Sequence, residues 1–307
     1  MSRGRLLATS VIAGLGLAAA WQVSGLHLGD TEERRLAQRL PDFARAAALP
    51  RCAGPDQAAL RLLILGQSNA ANHGAPAEND GRPALDLWTP QGCVQATDPL
   101  PGGSGSGGSI WSHLPDALQA LGRQHRLSLA VIAVDASSIA DWSDAKGPLG
   151  RHLQQRLQTL NAAGWQPDLV LWQQGEADTR KGTAQAEYQQ SFERLRLSLR
   201  KQGIAAPMLL ARSTLCGGRR SEPVRAAITD LQRRHADLLA GPDTDQLDAA
   251  ATRFGPCHFS QAGLVQAAGL WARTIDDALR TTKTGEPAAL PASTLWSATG
   301  QAPTLRP

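Results

Sequence analysis

Arg61-Leu62-Leu63-Ile64-Leu65-Gly66-Gln67-Ser68-Asn69 is the stretch that decides how this chain is read. Four consecutive aliphatic residues with no polar alternation describe a strand buried on both faces, which belongs in a parallel sheet covered by helices. Gly66 ends that strand in a tight turn, and Ser68 falls at or near a helix N-terminus, where free N–H groups favour a developing negative charge. α/β enzymes expose reactive side chains at this point of the fold. Two later segments hold the partners that a nucleophilic serine needs. Trp172-Gln173-Gln174-Gly175-Glu176 offers an amide and a carboxyl, and Cys257-His258-Phe259-Ser260 offers an imidazole. The plain alternative for Ser68 is a helix N-cap.

Outward from this stretch, apolar runs alternate with amphipathic ones. Leu62–Leu65, Leu127–Val134, Leu169–Trp172 and Met208–Ala211 read as buried strands. Ile110–Leu121, Leu149–Leu160, Ala184–Leu199, Glu222–Leu239 and Gln261–Leu279 read as helices, the third with a core stripe of Tyr188, Phe192, Leu195 and Leu199. The alternation predicts an α/β fold, a three-layer α/β/α sandwich around a central, mostly parallel sheet of flavodoxin-like type. Residues 60–280 form this domain. Residues 30–59 read as a helical linker or collar broken at Pro41, and residues 281–307, rich in Ala, Pro, Thr and Ser, as a disordered tail.

Arg3 and Arg5 precede the apolar run 6–21, so residues 1–29 read as a signal peptide or a membrane anchor, with Ala18-Ala19-Ala20 as a cleavage site. Export places the protein in the periplasm, on the membrane facing it, or outside the cell. The chain carries a net charge of +4, yet its arginines are scattered along helical stretches and form no basic tract, which argues against nucleic acid as a partner. Four cysteines, an even count in an exported protein, favour two disulfides. Of three pairings, Cys52 with Cys93 and Cys216 with Cys257 is preferred, since each bond then braces a loop beside a candidate catalytic segment. Zinc would require closer cysteine spacing.

The run Gly102–Gly108 matches Gly-x-Gly-x-x-Gly at Gly103, Gly105 and Gly108, but it follows Asp98-Pro99-Leu100-Pro101 and no strand, so it reads as a loop over the site. Among seven histidines His258, in the loop before the last helix, is the candidate base. His73 and His113 lie near site loops and are its rivals.

Gly-Gln-Ser-Asn at 66–69, Trp-x-Gln-Gly-Glu-x-Asp at 172–178 and the late Cys-His-Phe-Ser resemble the SGNH/GDSL hydrolases, within them the sialate O-acetylesterase and acetylxylan esterase branch. The resemblance spans roughly residues 60 to 280 and implies Ser68 as nucleophile. It also implies oxyanion donors from Ser68, Gly108 and Gln174. For Gln174 the alternative is a buried amide at a strand end. The pattern fails in one place. Relatives carry Asp three residues before the His, and here Gly255 stands there. Glu176 is the first choice for the orienting acid, a role that the resemblance to relatives of the acetylxylan esterase type implies, followed by Asp248 and Asp245; a structural carboxyl serving loop amides is the alternative for Glu176.

Asn69, Ser138, Trp111 and Trp142 are the expected substrate contacts, the indoles as platforms for sugar rings unless they are core. The chemistry implied is removal of O-acetyl groups from a carbohydrate through an acyl-enzyme, with no metal or organic cofactor. The substrate is then an acylated carbohydrate or a small ester. Acetyl transfer to a periplasmic polymer, and a binding protein that has lost catalysis, are the alternatives.

Overall fold

The computed structural model describes residues 31–52, 59–77 and 81–284. The expected signal or anchor and residues 285–307 of the expected tail lie outside them. A seven-stranded sheet with the order β3-β2-β4-β1-β5-β6-β7 runs through the centre. Its strands are β1 (Leu60–Gly66), β2 (Leu85–Thr89), β3 (Gly92–Ala96), β4 (Leu127–Ala133), β5 (Leu169–Gln173), β6 (Met208–Arg212) and β7 (Leu238–Asp243). All neighbours are parallel except the β2–β3 hairpin at one edge.

The apolar run of β1 is buried on both faces because its side chains alternate between two cores. Leu62 and Ile64 pack with Trp111 and Trp271 on one side, and Leu63 and Leu65 pack with Tyr188 and Phe192 on the other. Helices α2 (Leu114–Ala120) and α8 (Gln261–Thr284) cover the first face. Helices α3 (Ile139–Ser143), α4 (Pro148–Ala162), α6 (Gln185–Lys201) and α7 (Glu222–Arg234) cover the second. Short α5 (Glu176–Lys181) follows β5 directly. The three-layer α/β/α sandwich read from the sequence is the architecture observed.

Two details differ from the sequence reading. The helix expected to reach Leu239 stops at Arg234, and Leu238–Asp243 forms β7, paired with β6 from Met208↔Leu238. Gly241 and Pro242 disguise this strand, and Pro is tolerated there because an edge strand needs fewer ladder donors. The last helix continues through residues 281–284, where a disordered tail was expected. Residues 31–52 pack against the domain. They form α1 (residues 31–39), a 3₁₀ turn (Ala44–Ala48) and a bridge from Arg51 to Val94. Leu36 and Ala46 are buried, and the Arg156 guanidinium lies 4.2 Å over the Phe43 ring. Disulfides Cys52–Cys93 and Cys216–Cys257, the preferred pairs, close this collar and a later loop.

β1 is flanked by β4 and β5, with Gly66 opposite both Ala133 and Gln173. The chain therefore changes direction across the sheet at the carboxyl end of β1, where open α/β sheets bind ligands. Gly66 is required here for space as well as conformation. Its φ is +150°, and a Cβ would lie 2.1 Å from the Gln173 carbonyl oxygen. Gly255 has φ +63° with nothing within 4 Å of a Cβ. Gly66→Ala is therefore expected to abolish cooperative folding or remove several kcal/mol, whereas Gly255→Ala removes about 1–2 kcal/mol, the cost of a strained backbone alone. Urea unfolding of the two variants measures the difference, and equal losses would contradict the packing account.

Candidate active site

Ser68 opens a 3₁₀ turn (Ser68–Ala70) that leaves the end of β1. Its main-chain N–H meets no main-chain carbonyl among the described residues, and its hydroxyl has no hydrogen-bond partner among them. Opposite lies a small hairpin, β8 (Arg253–Phe254) and β9 (His258–Phe259), with β9 packed against the Ser68 turn. Asn69 Nδ2 donates to the Cys257 carbonyl at 3.0 Å, which fixes the backbone just before His258 relative to the residue just after Ser68. The Cys216–Cys257 disulfide and the bond from Gly217 N–H to the Pro256 carbonyl, 2.8 Å, tie the hairpin to the loop after β6. Ser68 and His258 are thus placed on facing turns at the carboxyl edge of the sheet. His258 is half-buried, and desolvation, then the neighbouring His73, lowers its pKa against a raising influence from Asp135.

Glu176 does not orient His258. It is buried, and its Oε1 accepts from Asn69 Nδ2 at 2.6 Å and from Ser213 Oγ at 2.6 Å. Burial pushes its pKa up to about 7, against those two hydrogen bonds. Asp248 is exposed and pairs with Arg220 at 2.7 Å. Asp245 is buried on the Thr214 N–H and hydroxyl, both at 2.6 Å, and on Arg225. None of the three expected acids reaches the imidazole. At Gly255 the chain adopts the left-handed turn of the hairpin, a conformation that favours glycine over aspartate. The carboxylate that the fold does bring to His258 is Asp135, just beyond β4, with one ligand atom each of His73, Asp135 and His258 within 4.8 Å of one another. Its position one residue before Ala136-Ser137-Ser138 was the available signal.

Two expected oxyanion donors are committed elsewhere. Gly108 N–H donates to the Ala75 carbonyl at 2.9 Å. Gln174 is fully buried, and its Nε2 donates to the Ser137 carbonyl at 3.0 Å, to Gln67 Oε1 at 3.3 Å and to Asp178. It acts as the alternative reading had it, as a buried amide joining strand ends. The expected substrate contacts are also inside the protein. Trp111 is buried with Nε1 on the Ala70 carbonyl at 2.7 Å, and Trp142 is buried with Nε1 on Ser137 Oγ at 2.9 Å. Buried Ser138 caps α3 in a reciprocal pair with Asp141, and buried Asn69 is the clamp described above. His113, a rival base, pairs with Arg82, whereas His73 lies with its ring centroid 5.5 Å from that of His258. A cleft of about 390 Å³ runs from Arg39, Phe43 and Arg45 of the collar to Asn72, His73 and Asp135.

The Glu176 carboxyl gives a pH test. An acid whose pKa rises from 4.5 to about 7 on folding holds its proton more tightly in the folded chain. Its stabilising contribution is complete below pH 4.5 and is lost as the pH climbs to 7, at up to about 1.4 kcal/mol per pH unit. Glu176→Gln keeps an acceptor at Oε1 and removes this titration. The variant is expected to lose less stability than the parent between pH 4.5 and 7 in urea melts, and to keep its turnover within a few-fold. Parallel stability curves would show that Glu176 titrates normally.

Residues 61–275, well over half of the chain, match the family model described as carbohydrate esterase, sialic acid-specific acetylesterase. A protein of known structure from Arabidopsis thaliana is 18% identical, covers 69% of this chain and 96% of its own, and superposes with a TM-score of 0.55. NanS is 15% identical over 76% of this chain and 100% of its own, with a TM-score of 0.50. At this identity the two likenesses speak for a shared fold. No curated protein sequence matches. The family match across the sheet, the Ser68 turn and the His258 hairpin settles the assignment: the chain belongs to the sialic acid-specific acetylesterase family of carbohydrate esterases, carboxylic ester hydrolases.

Proposed function

We propose that the protein is an exported serine esterase that removes O-acetyl groups from a carbohydrate through an acyl-enzyme formed on Ser68. The observation that carries this reading is the clamp that sets Ser68 and His258 on facing turns, through the 3.0 Å bond from Asn69 Nδ2 to the Cys257 carbonyl. His258, kept neutral by burial, takes the Ser68 proton as Oγ attacks the ester carbon, then returns it to the departing sugar oxygen. Water repeats the sequence to release acetate. The Ser68 N–H stabilises the oxyanion. Asp135 supports the imidazolium by its field across the cleft and not through a hydrogen bond. The two disulfides suit an oxidising compartment.

Hydrolysis of 4-nitrophenyl acetate tests the assignment. Ser68→Ala and His258→Ala are each expected to lower the rate constant by about 10⁴-fold or more while leaving the melting temperature within a few degrees. Wild-type turnover no faster than Ser68→Ala would sink the enzyme reading and leave a glycan-binding protein. The acid limb of the pH profile is expected below 6.5, the ordinary histidine value, because burial lowers the His258 pKa. Product analysis with an acetylated glycan, with and without an acceptor sugar, separates hydrolysis from transfer.

A further inference from the structure

Three metal-type donors meet beside the cleft, two of which, His73 and Asp135, line it. His73 follows the Ser68 turn, Asp135 follows β4 and His258 lies in β9, so three separate elements deliver them. One ligand atom of each lies within 4.8 Å of the others. Among the described residues, neither the Asp135 carboxylate nor the His258 ring enters a hydrogen bond or ion pair. The His73 ring uses only Nε2, on Ser104 Oγ at 3.1 Å, and the same hydroxyl accepts the Asp135 main-chain N–H at 2.8 Å. One serine thus holds two of the three groups, in the way metal-ligating histidines are oriented by a partner on their other nitrogen. Ala136, next to Asp135, has φ +53°, a conformation that an alanine keeps only where its surroundings enforce it. The Asp135 carboxylate is placed by the fold and has no hydrogen-bond or ion-pair partner among the described residues.

Two imidazoles and one carboxylate, with solvent access along the cleft, are the donor set of a divalent transition-metal site with an open position. Zinc bonds of about 2.0–2.2 Å draw the donors closer than 4.8 Å, a movement within reach of the side-chain torsions of half-buried His73 and His258. We propose that His73, Asp135 and His258 form a reversible site for Zn²⁺, and that the bound ion switches the esterase off by occupying the nitrogen lone pair with which His258 accepts the Ser68 proton. The switch rests on the esterase reading. The binding site does not.

The test uses the full chain. Zn²⁺ is titrated in competition with a metallochromic dye into wild type, Ser68→Ala, His73→Gln and Ser104→Ala, and 4-nitrophenyl acetate hydrolysis is followed over the same Zn²⁺ range with and without EDTA. Wild type and Ser68→Ala are expected to take up one equivalent. His73→Gln weakens uptake at least tenfold, and Ser104→Ala by about 10- to 100-fold. Wild-type hydrolysis falls at the midpoint of the dye titration and returns with EDTA, while the hydrolysis that His73→Gln retains, whatever its basal rate, resists the same Zn²⁺ concentrations. Absence of one-equivalent uptake by Ser68→Ala, or uptake unchanged in both His73→Gln and Ser104→Ala, overturns the site. Uptake without loss of hydrolysis overturns the switch. A wild type with no hydrolysis defeats the esterase reading alone, because the dye titration still decides the site.

Discussion

The Glu176 carboxyl joins three loops at the carboxyl edge of the sheet, and the placement of the candidate catalytic pair depends on it. It sits at the start of α5, directly after β5, and receives Asn69 from the β1 turn and Ser213 from the end of β6. Through Asn69 the same link reaches Cys257 and so the strand that carries His258. A buried carboxyl is costly unless hydrogen-bonded, and here two short bonds and a proton shared with no cation keep it tolerable. Its Oε2 and the Asn69 Oδ1 have no hydrogen-bond partner among the described residues, and burial keeps the proton on this acid to a higher pH than on an ordinary glutamate.

Beneath this carboxyl lies a second polar layer. Gln67 Oε1 accepts from Gln174 Nε2, from Gly175 N–H and from Ala177 N–H, so the turn after β1 is bonded to the turn after β5 at several points. Gln173 Nε2 reaches Ser213 Oγ and Thr244 Oγ1, and its Oε1 accepts from Trp271 of α8. The ends of β1, β5, β6 and β7 are thereby cross-linked by amides and hydroxyls. Such networks hold geometry at low net charge, which suits a site whose transition state brings its own charge.

The sheet, its parallel sense and the covering helices were legible because burial on both faces leaves an unbroken apolar run, and Leu62–Leu65 and Leu169–Trp172 are such runs. β7 was not, since Gly241 and Pro242 interrupt it. At the site, Ser68 and His258 stood out by type and position. The errors concern side chains that are polar or aromatic yet inward-facing. Trp111, Trp142 and Gln174 look like contact residues in sequence, but each spends its polar hydrogens on a buried carbonyl or hydroxyl. Sequence records which groups are present and leaves open which hydrogen bonds they have already made.

Gly255 shows how the missing acid and the His73–Asp135 cluster belong to one rearrangement. An Asp at that position would have to take φ +63° in an exposed hairpin, with nothing packed within 4 Å of its Cβ. The hairpin is instead fixed by the Cys216–Cys257 disulfide immediately before His258. A covalent anchor in the backbone makes the imidazole's position independent of an orienting carboxylate from its own loop. The charge that favours the imidazolium then comes from across the cleft, from Asp135, which reaches His258 by its field without closing over the ring. An orienting acid bonded to the imidazole would have occupied one ring nitrogen. Its absence leaves that nitrogen open to whatever enters the cleft.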